Sequence, residues 1–284
     1  MINTNEVLQK YNIRLTKTLG QNFLTDINII RKIVNEGSLE SSDLVLEVGP
    51  GIGSMTLEIA KKAGRVLAVE IDKRLIPALE ENLSGFPNVL IINEDIMKLD
   101  FGPYIKDWKG SLKVISNLPY YITTPIIMML LESETEWDTL IFMVQKEVAM
   151  RMAAEPGTKD YGSLSVAVKY YSEPKLCFTV SRNCFIPKPD VDSAVVRLKK
   201  RELPYLKGIK KDFFFKVVRA AFSQRRKTLL NSLGTQTWLA GGKDALKEIL
   251  TYLNLKDTVR AEELSLKDFA RLARSLEEYD TSQS

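Results

Sequence analysis

Through the first two-thirds of this 284-residue chain, short β-branched and apolar runs alternate with stretches of helical spacing. The runs at residues 44–48, 66–70, 89–93, 113–116, 139–144, 175–180 and 193–198 read as strands. Residues 27–37, 55–63, 73–83, 125–132 and 147–154 read as the helices between them. Such alternation is the pattern of a parallel sheet wrapped by helices, an α/β fold. Residues 155–162, Glu-Pro-Gly-Thr-Lys-Asp-Tyr-Gly, read as an exposed loop. After about Leu203 the strand signal stops. Helical spacing continues over 213–222, 227–233, 245–253 and 265–277, with Ser265 and Asp268 as a capping pair opening the last helix. The expected division is an α/β domain over 1–203 and a small all-helical domain over 204–284.

Composition narrows the chemistry. The longest apolar run, at 126–131, falls far short of the roughly 18–20 residues that span a bilayer, and the first residues lack the basic-then-apolar pattern of a secretory signal. Two cysteines, Cys177 and Cys184, in an otherwise unstapled chain point to a reducing compartment, so a cytoplasmic protein without a membrane partner is expected. The chain has no histidine, which excludes Ser-His-Asp and Cys-His catalysis and any imidazole metal site. No metal is expected. Net charge is only +4, yet residues 197–231 hold twelve Lys or Arg against Glu202 and Asp212. That block suits either a polyanion-facing surface or a solvated helical face.

The segment 44–53, Leu-Val-Leu-Glu-Val-Gly-Pro-Gly-Ile-Gly, runs a buried strand into a glycine turn and then a helix. Glycines there permit positive φ and close approach of a ligand to the backbone. Glu70 ends the next strand, where a carboxylate can accept from two ribose hydroxyls, and Asp95 follows the third strand, placed to accept from an adenine amino group. Taken singly, either carboxylate could instead cap the following helix. A dinucleotide fingerprint would be Gly-x-Gly-x-x-Gly with a pyrophosphate at the helix start. The spacing here is Gly49-x-Gly51-x-Gly53 with Glu47 ahead of it, the form typical of S-adenosylmethionine (SAM) methyltransferases.

The fourth strand runs into Ser116-Asn117-Leu118-Pro119-Tyr120-Tyr121. (Asn/Asp)-x-Pro-(Tyr/Phe) is the signature of amino-directed nucleic-acid methyltransferases, and its chemistry accounts for its residues. The exocyclic nitrogen of adenine is a poor nucleophile because its lone pair is delocalised into the ring. Two acceptors opposite its N–H bonds, the Asn117 side-chain oxygen and the Leu118 carbonyl, can draw it toward tetrahedral geometry. Pro119 stiffens the turn, and Tyr120 offers a face on which the base can stack. A second aromatic turn at 185–193 reads, taken alone, as an edge turn with a core phenylalanine, although Phe185 could supply the other face of a sandwich around a flipped base.

Together these residues resemble the bacterial small-subunit rRNA adenine-N6 dimethyltransferase family. The matching segments are Leu19-Gly20-Gln21-Asn22-Phe23-Leu24, 47–53, Glu94-Asp95-Ile96, 117–125, 145–148, 185–193 and 221–227. They run in order over nearly the whole chain with no departure at a motif position. The resemblance implies a Rossmann-like SAM methyltransferase sheet with helices on both faces and a helical C-terminal rRNA-binding domain. It implies dimethylation at N6 of two adjacent adenosines in the 3′-terminal hairpin of 16S rRNA, in the 30S subunit or its precursor, by a monomeric enzyme with a role in small-subunit biogenesis. It places SAM against Asn22, Leu24, Gly49, Glu70, Asp95 and Asn117, gives the target amine to Asn117 and Leu118, and stacks the base on Tyr120 and Phe185. The block through Arg225-Arg226-Lys227 becomes an rRNA surface.

Three other readings share parts of this evidence. The related 23S rRNA adenine methylases carry the same glycine turn and Asn-x-Pro-Tyr loop, though Leu19-Gly20, Thr123-Thr124-Pro125 and Arg225-Arg226-Lys227 favour the small-subunit enzymes. A non-catalytic assembly or transcription factor on this fold would be free to lose Glu70, Asp95 and the 117–120 loop. A dehydrogenase would require NAD rather than SAM in the crevice.

Overall fold

The computed structural model describes residues 2–13, 21–201, 206–224, 226–239 and 241–282. The Leu19-Gly20 lead-in, the 203/204 division point and Arg225 lie outside the described residues. Contacts sort the chain into two compact units, Met1–Ala149 with Glu173–Lys200, and Met150–Ser172 with Arg201–Ser284. The second unit therefore begins inside the stretch assigned from sequence to the α/β domain.

In the first unit, Asn3 caps helix α1 (Thr4–Lys10), strand β1 (Phe23–Leu24) follows, and Asp26 Oδ1 accepts from the Asn28 and Ile29 N–H groups to open α2 (Ile27–Glu36). Then come β2 (Leu44–Val48), α3 (Ser54–Ala60), β3 (Arg65–Val69), α4 (Ile76–Leu83), β4 (Val89–Ile92), α5 (Gly102–Ile105), β5 (Leu112–Asn117), α6 (Thr123–Glu132), β6 (Trp137–Gln145) and α7 (Lys146–Ala153), which crosses into the second unit. There α8 (Ser163–Tyr171) follows. The chain returns to the first unit in β7 (Ser172–Val180), β8 (Phe185–Ile186) and β9 (Ser193–Lys200).

Seven strands form one sheet in the order β4-β3-β2-β5-β6-β9-β7. The first five are parallel, as expected, but β9 runs antiparallel to β6, with Gln145 opposite Ser193. The sheet is thus mixed rather than all-parallel. Every residue of β2 is buried, so both faces of the central strand are covered, which suits its unbroken apolar run. On one face Val45, Ile115, Ile141 and Val195 pack with Ile33 of α2 and Ile59 of α3. Strand order reverses at β2, which lies between β3 and β5, and that switch point opens a crevice at the carboxyl ends of the strands. A separate two-stranded ladder pairs β1 with β8, Phe23 opposite Ile186 and Leu24 opposite Phe185.

The second unit is built on α8, α9 (Lys211–Ala221), α10 (Leu229–Ser232), α11 (Gly242–Tyr252) and α12 (Leu266–Ser282). The Ser265–Asp268 capping pair forms: Ser265 Oγ accepts from the Asp268 N–H at 3.1 Å and Asp268 Oδ2 accepts from the Ser265 N–H at 3.1 Å. The 155–162 segment has an exposed outer edge, but Tyr161 is 2 % exposed in the core of this unit and donates to the Leu264 carbonyl at 2.9 Å. The Gly157 N–H donates to the Glu262 carbonyl at 2.7 Å. Those anchors put the 150–172 segment in the helical unit. Among the described residues no helix is long and apolar enough to cross a membrane, and Cys177 and Cys184 are both free thiols.

Candidate active site

The crevice at the switch point is a cavity of about 350 Å³ within the first unit. It is lined by residues 21–24 around β1, 47–52 after β2, Glu70 and Ile71 after β3, Glu94, Asp95 and Ile96 after β4, and 117–122 after β5. Of the sequence candidates, Asn22, Leu24, Gly49, Glu70, Asp95, Asn117, Leu118 and Tyr120 all reach this lining.

Phe185 does not. Its ring is 3 % exposed and packs with Leu24, Met143, Val180 and Val195 in the core. The β1–β8 ladder holds it there, reinforced by the Thr25 N–H donating to the Cys184 carbonyl at 2.9 Å. In this arrangement Phe185 backs Leu24 of the lining and presents no face to the cavity.

The glycine turn is built by backbone geometry. Gly49, Gly51 and Gly53 have φ of 67°, 61° and 90°. A Cβ on Gly51 would sit 2.7 Å from Phe23 Cε1, so the absent side chain makes room for that ring. At Gly49 the nearest atom to an added Cβ is 3.8 Å away, on Pro119, so the backbone faces open cavity. Glu70 braces the turn by accepting from the Gly51 N–H at 3.0 Å and, with its other oxygen, from the Asp72 N–H at 2.9 Å. The Ile71 N–H also reaches the carboxylate, which leaves it one lone pair for a ligand. Asp95 Oδ1 accepts from the Met97 N–H at 3.0 Å, so capping and availability to a ligand coexist there too.

Electrostatically the cavity is one-sided. Glu47, Glu70, Glu94 and Asp95 line it, and among its described lining residues there is no Lys or Arg. Burial pushes the Glu47 carboxyl up to about 8, with the nearby Thr56 hydroxyl pulling the other way and the Glu70 charge adding to the rise. Burial likewise pushes Glu70 up to about 7, against its backbone hydrogen bonds. Among the described residues, Glu47 Oε2 and Gln21 Oε1 are buried without a hydrogen-bond donor. Gln21 was not singled out in the sequence; its amide nitrogen donates to Asp72 at 2.7 Å. A buried acceptor without a partner costs about 1–3 kcal/mol. With no Lys or Arg among its described lining residues, the wall disfavours a pyrophosphate.

The Asn117 loop closes the cavity. Asn117 Nδ2 donates to the Asn22 carbonyl at 3.1 Å, which turns Oδ1 away from that carbonyl and makes it the acceptor end of the amide. The Leu118 N–H donates to the Met143 carbonyl of β6 at 3.1 Å, and Thr123 Oγ1 donates to the Pro119 carbonyl at 2.8 Å. Tyr120 is half-buried, its hydroxyl 2.6 Å from Ser193 Oγ, and burial raises its phenol above the ordinary value. Beside it Tyr121 is 54 % exposed on the lining; burial raises its phenol, as do the Asp95 and Glu70 charges. An exposed aromatic here has no periodicity to betray it.

Residues 12–278 match the family described as "Ribosomal RNA adenine dimethylase". The chain is 50 % identical over 275 residues to "Ribosomal RNA small subunit methyltransferase A" of Alkaliphilus oremlandii, covering 96 % of each. It is 48 % identical to the protein of the same description from Clostridioides difficile, over 95 % of this chain and 93 % of that one. Among solved structures, a dimethyladenosine transferase from Plasmodium falciparum superposes with a TM-score of 0.76 at 28 % identity, over 88 % of this chain and 95 % of that one. The 23S rRNA methyltransferase ErmE superposes at 0.69 and 29 %, over 90 % and 99 %. The two structures are alike in identity to this chain, so it is the sequence relatives, near half identical, that separate small-subunit from large-subunit enzymes.

Proposed function

The chain belongs to the ribosomal RNA adenine dimethylase family, and from that premise we propose that it transfers methyl groups from SAM to N6 of adenosine in 16S rRNA. The observation that carries this reading is the Asn117 amide, oriented by the Asn22 carbonyl at the mouth of an acidic, glycine-floored cavity. The residues fit the cofactor. Glu70 accepts from its ribose, Asp95 from its adenine amino group, and Asn22, Leu24 and the Gly49 backbone flank it. Glu94 and Asp95 on the lining, with no Lys or Arg beside them among the described residues, suit a ligand carrying a positive charge. When bound, SAM supplies an electrophilic sulfonium methyl.

The protein's part is positioning and hydrogen bonding. In the first transfer Asn117 Oδ1 and the Leu118 carbonyl accept the two N–H bonds of the target amine, concentrating its lone pair on the face opposite them; in the second, one of them accepts the N–H that remains. Pro119 keeps the two acceptors at a fixed spacing, and Tyr120 holds the ring of a base turned out of its helix. Proton loss from the methylated amine requires no strong base, which suits a chain without histidine. The target is two adjacent adenosines of the 3′-terminal hairpin in the 30S subunit or its precursor. Basic residues of the helical unit, among them Arg226 and Lys227, contact its phosphates, so binding weakens with salt. The enzyme acts in the cytoplasm, as a monomer.

The test is mass spectrometry of 16S rRNA fragments after unmethylated 30S subunits are incubated with the protein and SAM. The expected product carries two methyl groups on each of two adjacent adenosines of one 3′-terminal fragment. Methylation of 23S rRNA alone, or binding of NAD without SAM in calorimetry, would overturn the reading.

A further inference from the structure

Tyr120 can serve as a stacking platform only if its ring is held in place, and the loop holds just one end of it. The backbone end is anchored to β6, because the Leu118 N–H donates to the Met143 carbonyl at 3.1 Å. The far end is anchored by a residue to which no role has been given. Ser193, the first residue of β9, is 0 % exposed, and its hydroxyl lies 2.6 Å from the Tyr120 phenol oxygen. Ser193 is itself paired with Gln145 of β6. The loop just before Tyr120 and the tip of its side chain are therefore both referenced to the same strand, two residues apart, at Met143 and Gln145.

That arrangement differs from ordinary core packing. A half-buried ring with its far end free swings about its Cα–Cβ bond, carrying the phenol oxygen with it. A short O–H···O bond from a buried, sheet-borne hydroxyl removes that freedom, and burial leaves the phenol little water to exchange it for. Serine suits the place, because its single oxygen on a short stem takes its position from the β9 backbone.

We propose that Ser193 is a positioning residue for the methyl transfer, acting through Tyr120 to hold the target adenine in place at Asn117. The inference rests on the adenine-methyltransferase reading above and adds to it a buried hydroxyl on a strand distant in sequence from the loop. Removing the hydroxyl leaves the cavity lining intact, since Ser193 does not contribute to it. The cost therefore falls on the geometry of the bound base and not on cofactor affinity.

The experiment is a double-mutant cycle with Ser193→Ala and Tyr120→Phe, each retaining the ring. It is read in single-turnover methyl transfer to unmethylated 30S subunits, alongside calorimetric SAM affinity and the thermal midpoint. Each single variant should lose about tenfold in the transfer rate at saturating subunits, with SAM affinity unchanged. The double variant should lose no more than either single one, because each removes the same bond. Wild-type rates in both single variants, or losses that multiply in the double variant, would overturn the proposal. So would a rate loss in Ser193→Ala matched by equal losses of SAM affinity and thermal midpoint. If the wild-type protein itself transfers no methyl to 30S subunits, it is the parent reading that fails.

Discussion

Replacing Glu47 by glutamine tests the electrostatics of the cavity most directly. The carboxyl is 1 % exposed, and burial takes it from an ordinary 4.5 to about 8. In the unfolded chain it returns to the ordinary value. Between those two values the native state holds a proton that the unfolded chain has released, so stability falls as pH rises across that window. At about 1.4 kcal/mol per pH unit, a rise of roughly three to four units sets a ceiling of about 5 kcal/mol. Below the unfolded value and above the folded one the group contributes no slope. Glutamine copies the shape of the protonated acid but cannot ionise. The assay is urea unfolding of wild type and Glu47→Gln at intervals from about pH 5 to 9, taking the difference so that shared titrations cancel. The variant should start near parity and gain by up to about 1.4 kcal/mol per unit until about pH 8, then level off. Parallel curves over the whole range would refute the reasoning, because the acid would then titrate alike in both states.

Other substitutions probe the remaining parts. Asn117→Ala should keep rRNA binding and fold but lower single-turnover methyl transfer roughly 10²–10³-fold, the scale of losing one pre-positioned polar group in an active site. Gly51→Ala drives a Cβ into the Phe23 ring at a φ of 61°, and should cost about 1–3 kcal/mol in denaturant unfolding while weakening SAM binding in calorimetry. Lys113 is buried against Asp43 at 2.7 Å and also donates to the Gly37 and Ser38 carbonyls. Lys113→Met strands that carboxylate and should cost about 3–5 kcal/mol in the same assay.

Much of the architecture follows from periodicity. All seven sheet strands fall where apolar runs put them, most plainly β2, whose residues are all buried. What failed were elements whose cause lies far along the chain. The antiparallel direction of β9 is set by pairing with β6, not by its own residues. Helix α8, Ser-Leu-Ser-Val-Ala-Val-Lys-Tyr-Tyr, is rich in β-branched and aromatic residues and is buried on several sides, so no amphipathic stripe marks it. Tyr161 sits in a turn-rich segment yet fills a core supplied a hundred residues later. On the cavity lining, the places of Glu70, Asp95 and Asn117 were legible because each stands at or just after the end of a strand running to the same sheet edge. The Asn22 position was known only by resemblance, since it orients Asn117 through a backbone carbonyl, and a carbonyl leaves no mark in the sequence. Phe185 shows the opposite limit: a motif aromatic whose burial is decided by the two-residue β1–β8 ladder.

The interleaving of the two units bears on how the chain comes off the ribosome. Residues 150–172 are synthesised before β7 and β9 complete the sheet, yet their packing partners begin only at residue 201. At the roughly 5–20 residues per second of translation, Val166 and Tyr161 wait several seconds for the helices that cover them. During that interval the nascent protein carries an apolar segment without its partners. A truncation that keeps residues 1–203 makes the interval permanent. Fragments meant to isolate either half must therefore be cut twice, with the 150–172 segment assigned to the helical piece, or the methyltransferase half will carry a sticky insertion of its own.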